Sequence, residues 1–437
     1  MITLSETLKH YKQPDIQEEI VLAAKDKEVA IKFGDKGFGK RPDALKYPND
    51  VLELAKQGAT SFHSSEELWS NPLQLDPMMK KKDMEDLRIG WDLVIDIDCK
   101  FLDYSQITAD LLIKALKFQG INSVSCKFSG GSGFHIGVPF EAFPKKVHDR
   151  EARLWFPDGA RAIALYLKEM IRKPLSERML AYENPDKIMA KTGKPFNEII
   201  KKGIFDAFAV VGIDTILISS RHLCRMPYSF NEKSGLVSVP IDPEKVMEFR
   251  REDAASTKVS VSKFRFLDRS FAMENEAKKL LVQAFDFNLK LEEEKPKKEY
   301  EIPQEAIPEK FFPPCINNIL KGVDDGKKRS MFILTNFLNS VGWSYEQMEK
   351  SLDEWNKKNK EPLREVLLKG QLRYHKQRAK KILPPNCSNS MYYKDFRVCT
   401  PDNLCHRIRN PVNYARAKTR YLEKAKKPEK AQKSTNT

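Results

Sequence analysis

Residues 93–98 read LVIDID. In a strand, alternation puts Leu93, Ile95 and Ile97 on one face and Val94, Asp96 and Asp98 on the other, so both carboxylates look the same way. Two acids so placed repel each other unless a cation lies between or beside them. A hard divalent ion answers that need. Mg²⁺ prefers oxygen ligands, and a pair of such ions clamps the attacking and leaving oxygens of an in-line phosphoryl displacement. An exposed acidic strand is the ordinary alternative. A second element is Ser129, Gly130, Gly133 and His135, spaced S-G-x-x-G-x-H with Ser132 inside the turn. Its backbone N–H groups can cradle phosphates beside a hydroxyl and an imidazole, although a glycine turn in a hairpin has the same look. A third is Asp214, ahead of a basic loop in which Arg221, His222, Arg225 and Lys233 can neutralise a triphosphate.

Four of the seven cysteines, Cys315, Cys387, Cys399 and Cys405, fall in the last third of the chain at C-x71-C-x11-C-x5-C. In a reducing compartment such clustering indicates metal or cluster ligation rather than disulfides. The spacing is too irregular for a zinc ribbon built on two C-x2-C pairs, but four distant thiolates can hold either zinc or a 4Fe–4S cluster. Buried free cysteines are the third option.

These residues need elements to position them. With 437 residues, 41% of them hydrophobic, the chain has material for two or three cores. Residues 1–285 alternate short strands and helices. Ile16–Lys25 reads as a helix and KEVAIKF as a strand leading to a basic turn at Lys36, Lys40 and Arg41. SVSCKF and FHIGVPF are strands around the glycine turn, 150–205 is mainly helical, and TILI and LVSVPI flank the basic loop. This is an α+β pattern with mixed strand connections. Residues 286–310, charged and dotted with proline, read as a linker. Residues 311–415 turn helical, and 416–437 form a basic tail expected to fray or to dock on phosphates. The net charge of +15 favours polyanionic partners. No apolar run approaches the length of a membrane span and the first residues lack a signal-peptide core, so a cytoplasmic protein without a membrane partner is expected.

The order D-x-D, then S-G-x-x-G-x-H, then a lone Asp before HLCRMPYSFNEKSGLVSVPID, resembles the catalytic subunit of archaeal and eukaryotic DNA primases over about residues 15–245. PPCINNILKG, GKKRSMFILTNFLNSVGWS, RYHKQRAKK before PPNC, and the closing RVC and NPVNY resemble the iron–sulfur domain of the primase large subunit over about 311–415. The resemblance implies a primase catalytic fold followed by a mainly α-helical iron–sulfur domain, fused in one chain of archaeal kind. It implies that Asp96, Asp98 and Asp214 bind Mg²⁺ or Mn²⁺. Ser129, Gly130, Ser132, Gly133, His135, His222, Arg225 and Lys233 would grip the nucleotide. Cys315, Cys387, Cys399 and Cys405 would hold a 4Fe–4S cluster, with zinc as the alternative. Lys328, Arg329, Arg373, His375 and Arg378 would meet template or 5′ phosphates. The activity implied is de novo primer synthesis for replication from nucleoside triphosphates on single-stranded DNA, yielding a primer duplex. The protein would be a monomer that docks on replication proteins. A repair or translesion polymerase of the same superfamily and a non-catalytic accessory subunit are the alternatives. The chain departs from the family at Gly131 and Ser132, where many members carry arginines, and at Asn231, where the eukaryotic subunit has histidine. Residues 127–223 also lack the cysteines of its zinc knuckle.

Overall fold

The longer strands of the N-terminal half are β1 (Val29–Lys32), β2 (Ser61–Ser65), β3 (Glu67–Trp69), β4 (Arg88–Trp91), β5 (Leu93–Asp98), β6 (Ser125–Phe128) and β7 (Phe134–Val138). Shorter strands at Gly212–Ile213, Leu223–Arg225 and Pro240–Ile241 complete the sheets around the site. The computed structural model describes residues 2–76, 78–147, 149–201, 203–213, 218–294, 303, 305–377 and 382–425. These fall in two units, Met1–Pro296 and Lys297–Thr437.

In the first unit a five-stranded antiparallel sheet runs in the order Gly212–Ile213, β5, β7, β6, Pro240–Ile241. A three-stranded antiparallel sheet places β2 between β1 and Leu223–Arg225. Leu93, Ile95 and Ile97 enter a core with Ile107, Leu112 and Leu116 of the helix Leu102–Phe118. Helices Asp158–Tyr182 and Lys278–Glu294 pack in the same layer. Each buried aliphatic side chain contributes about 1.5–3 kcal/mol. A one-residue slip of β5 would forfeit three of these and turn both aspartates into the core, so burial itself fixes which face carries them. Helix and strand content together confirm the α+β reading.

The second unit is helical around Ile316, Ile333, Leu334, Phe337, Leu352 and Trp355, which are drawn from Pro314–Leu320, Lys327–Ser340 and Tyr345–Lys357. Ser344 and Gln347 close a capping box that starts the last of these helices.

Three local expectations differ from the structure. LVSVPI joins the five-stranded sheet only at Pro240–Ile241, and Val237 adds a single bridge to Phe230. Val237 N–H donates instead to Ala254 O and Ser238 N–H to Ser229 O, while Pro240 has no N–H to offer. Residues 286–294, read as linker, continue the helix Lys278–Glu294. The helix Pro411–Ala425 runs through the expected boundary at 415, with Val412 and Ala415 buried. Most of TILI lies outside the described residues. No described helix is long and apolar enough to cross a membrane.

Candidate active site

In the ladders Asp96 stands opposite His135 and Asp98 opposite Gly212. Asp98 is exposed and the Asp96 side chain is 43% exposed, with His135 Nε2 at 3.3 Å from Asp96 Oδ1. Neither carboxylate meets a lysine or arginine within 4.0 Å among the described residues, although most acids around them do. Burial works to raise the Asp96 carboxyl, but the charge and hydrogen bond of His135, with Lys127 and His222 nearby, hold it below its usual range. An ionised, half-exposed acid beside a second one, with no lysine or arginine against either among the described residues, is the donor set that a hard divalent metal takes. Ile213, paired with Ile97, ends the described chain before Asp214, which lies outside the described residues.

The glycine turn closes beside this pair. Ser129 N–H donates to Gly133 O at 3.0 Å, and Gly131 N–H to Ser129 Oγ at 3.4 Å. Ser132 Oγ donates to Cys99 O just past β5. Gly130 has φ +87°, a conformation that disfavours other residues. Gly133 passes so close to β5 that a Cβ there would overlap the Ile97 carbonyl oxygen. Gly133→Ala is therefore expected to destabilise the first unit by roughly 2–3 kcal/mol, read as a lowered urea midpoint. An unchanged midpoint would show that the turn does not rest on the strand.

The hairpin loop after Leu223–Arg225 reaches the same turn, where Ser234 Oγ donates to Gly130 O and Asn231 packs on Gly130. Lys233 is exposed at its tip. Arg225 is turned inward, donating to Phe230 O and pairing with Glu232 at 3.2 Å. His222 Nδ1 sits 3.3 Å from Glu66 Oε1. The structure thus brings Asp96, Asp98, Ser129, Gly130, Ser132, Gly133, His135 and Lys233 to one region. It engages Arg225 and His222 with carboxylates.

Two residues here were not singled out from the sequence. Lys127, fully buried in β6 opposite His135, donates from Nζ to Arg225 O at 2.8 Å and Ser238 Oγ at 3.0 Å. Burial, above all, pulls its pKa down to about 7. The signal was a lysine inside the otherwise strand-like SVSCKF. His63, on β2 beside Arg225, shares a 3.1 Å contact with Ser61 Oγ, and burial followed by the Arg225 charge lowers its pKa to about 3. An unfolded histidine titrates near 6.5, so between about 6.5 and 3 the unfolded chain binds the extra proton. The contribution is complete above pH 6.5 and is lost as pH falls. His63→Gln should remove about 2–3 kcal/mol of the stability that the wild type loses between pH 7 and 4.5, measured by denaturant titration at both pH values.

In the second unit Cys315, Cys387, Cys399 and Cys405 line one cavity of about 190 Å³ with Tyr393 and Tyr414. Burial and the three neighbouring thiols push the Cys315 thiol up, and burial with Cys405 and Cys399 takes Cys387 up to about 11. Among the described residues the one set of three or more ligand atoms within 4.8 Å of one another is Glu66, His222 and Cys224. No three of the four sulfurs therefore lie within 4.8 Å of one another. Lys328 and Arg373 are exposed. Arg329 lies 4.0 Å from Asp395 and over the Phe396 ring, and His375 Nε2 is 2.9 Å from Asn336 Oδ1. Arg378 lies outside the described residues.

Comparison with known proteins agrees with both halves. Residues 305–434 match the family described as the C-terminal domain of the large subunit of eukaryotic and archaeal DNA primase. The chain is 31% identical over 216 residues to the DNA primase small subunit PriS of Pyrobaculum aerophilum, and 29% identical over 227 residues to that of Pyrobaculum arsenaticum. Each match covers 43% of this chain and 64% of the relative. Among solved structures it is similar to the polymerase domain of Mycobacterium tuberculosis Ligase D in complex with DNA. That match has a TM-score of 0.34 and 13% identity over 65% of this chain and 89% of the other.

Proposed function

We propose that this chain, which joins a region similar to archaeal primase small subunits to the C-terminal domain of the primase large subunit, is a DNA-directed primase. It makes short primers de novo on single-stranded DNA by nucleotidyl transfer. The observation that carries the reading is the pair Asp96 and Asp98, on one strand face with no lysine or arginine within 4.0 Å among the described residues, beside the Ser129–His135 turn. Both residues, with Asp214, would hold Mg²⁺ or Mn²⁺, which supplies charge neutralisation at the α-phosphate attacked by a 3′-hydroxyl. The chain's own work is positioning. The turn's N–H groups, Ser129 and Lys233 grip the triphosphate, Ser132 braces the turn through the Cys99 carbonyl, and His135 orients Asp96. Arg225 stiffens the loop carrying Lys233 through Glu232 rather than reaching phosphate directly. In the second unit the four thiolates would hold a 4Fe–4S cluster. Lys328 and Arg373, with Arg378, offer salt-sensitive contacts to template or 5′ phosphate. The test is synthesis on an unprimed template of defined sequence. Short oligomers that require divalent metal support the proposal. Synthesis seen only from an annealed primer would reduce the chain to an extending polymerase.

A further inference from the structure

Among the described residues of the first unit five acids are buried: Glu28, Glu66, Glu67, Asp92 and Asp110. Glu28 pairs with Arg221 at 2.7 Å and Arg41 at 3.1 Å, Glu67 with Arg88 at 2.6 Å, and Asp92 with Lys27 at 2.7 Å and Arg269 at 2.9 Å. Asp110 pairs with Lys114 and Arg178. Glu66, only 3% exposed, has no lysine or arginine within 4.0 Å among the described residues. A buried carboxylate whose basic neighbour is a histidine rather than a permanent cation is costly enough to need a reason.

Its neighbours supply one. Glu66 Oε1 lies 3.3 Å from His222 Nδ1 and 3.3 Å from Cys224 Sγ, and Glu66 Oε2 has no hydrogen-bond partner among the described residues. One ligand atom from each residue falls within 4.8 Å of the others. Glu66 and Cys224 also line a cavity of about 330 Å³ that runs past Val94 and Arg225, so an ion and its water have room.

We propose that Glu66, His222 and Cys224 form a binding site for one borderline-soft divalent cation of the zinc class, set in the wall beside Asp96. One oxygen, one imidazole nitrogen and one sulfur suit Zn²⁺ and leave a fourth position for water, whereas Mg²⁺ takes oxygen alone. Binding releases the thiol proton to solvent. The thiolate and Glu66 carboxylate then balance the two charges of the ion and supply the compensation that Glu66 otherwise lacks. The ion ties the connection between β2 and β3 to the segment around Leu223–Arg225, bracing the basic loop. Hence His222 is a cation ligand here rather than a phosphate contact.

The full-length chain, purified anaerobically, equilibrated with micromolar Zn²⁺ and desalted, is assayed for zinc and iron per chain by mass spectrometry. The wild type is expected to carry one zinc more than Cys224→Ser, with iron equal in both. Glu66→Gln, which removes a buried charge at constant shape and so preserves the fold, is expected to weaken zinc binding at least tenfold. Equal zinc in all three proteins overturns the site. So does zinc lost from Cys387→Ser rather than from Cys224→Ser, since it would place the metal on the four-cysteine set. The readout does not depend on the polymerase reading, because Asp96→Asn should keep its zinc whether or not it makes primers.

Discussion

Asp96→Asn is expected to lower nucleotide incorporation by at least about 10³-fold, a loss of roughly 4 kcal/mol at the transition state, while affinity for single-stranded DNA stays within a few-fold. The size follows from the role. The amide keeps the shape of the side chain, so β5 and its ladder to β7 are untouched, but one of two anionic oxygen donors disappears from the face carrying Asp98. Stability separates this from a folding defect. Without divalent metal, the variant gives up only the favourable contact of ionised Asp96 with His135, so it should melt at the wild-type temperature or slightly below it. The rise in melting temperature that Mn²⁺ gives the wild type should shrink sharply, since that stabilisation is binding free energy. A variant with normal incorporation would remove Asp96 from the site. One that melts well below the wild type without metal would make its role structural.

Cys387→Ser should have the second largest effect, and a selective one. The four thiols share a cavity beside Tyr393, a buried residue of the second unit's core, so loss of one ligand should bleach the broad visible absorption of the anaerobically purified protein. De novo products should fall more than about tenfold, whereas extension of an annealed primer should change less than about threefold. The reasoning is one of effective concentration. Starting a chain needs two nucleotides and a template held together, and a tethered initiation domain raises the local concentration of the first of them, while an annealed primer no longer needs that help. Colourless wild-type protein carrying one zinc on these cysteines would contradict the cluster. Equal loss of initiation and extension would contradict the division of labour.

What could be read from the sequence was mostly what local periodicity controls. The face of β5 followed from LVIDID because three aliphatic residues must be buried together, and burial fixed both aspartates at once. The glycine turn was legible for a similar reason: Gly130 needs positive φ and Gly133 a close approach, two demands that leave a spacing signature. Long-range pairing was not legible. Arg225 and His222 looked like phosphate contacts because basic residues in a loop usually face solvent. The partner of His222, Glu66, comes from the distant connection between β2 and β3, and Glu232 reaches Arg225 because the hairpin loop folds back on its own strand. Lys127 showed only as one lysine inside an apolar strand, which does not say that its charge will be buried against a backbone carbonyl. LVSVPI misled because β-propensity reports a half-buried environment rather than a ladder, and the loop carbonyls of Ala254 and Ser229 took its donors.

The most direct test of the central claim, that one polypeptide both starts and extends a primer, uses an unprimed circular single-stranded DNA, the purified chain and nucleotides labelled at the γ-phosphate. The first nucleotide of a newly started chain keeps its triphosphate, whereas every later one loses the label in pyrophosphate. Short products carrying the γ-label, formed by the wild type with Mg²⁺ or Mn²⁺ and absent with Asp96→Asn, are the predicted result. Products labelled only through the α-phosphate, or formed only when a primer is annealed, would contradict it.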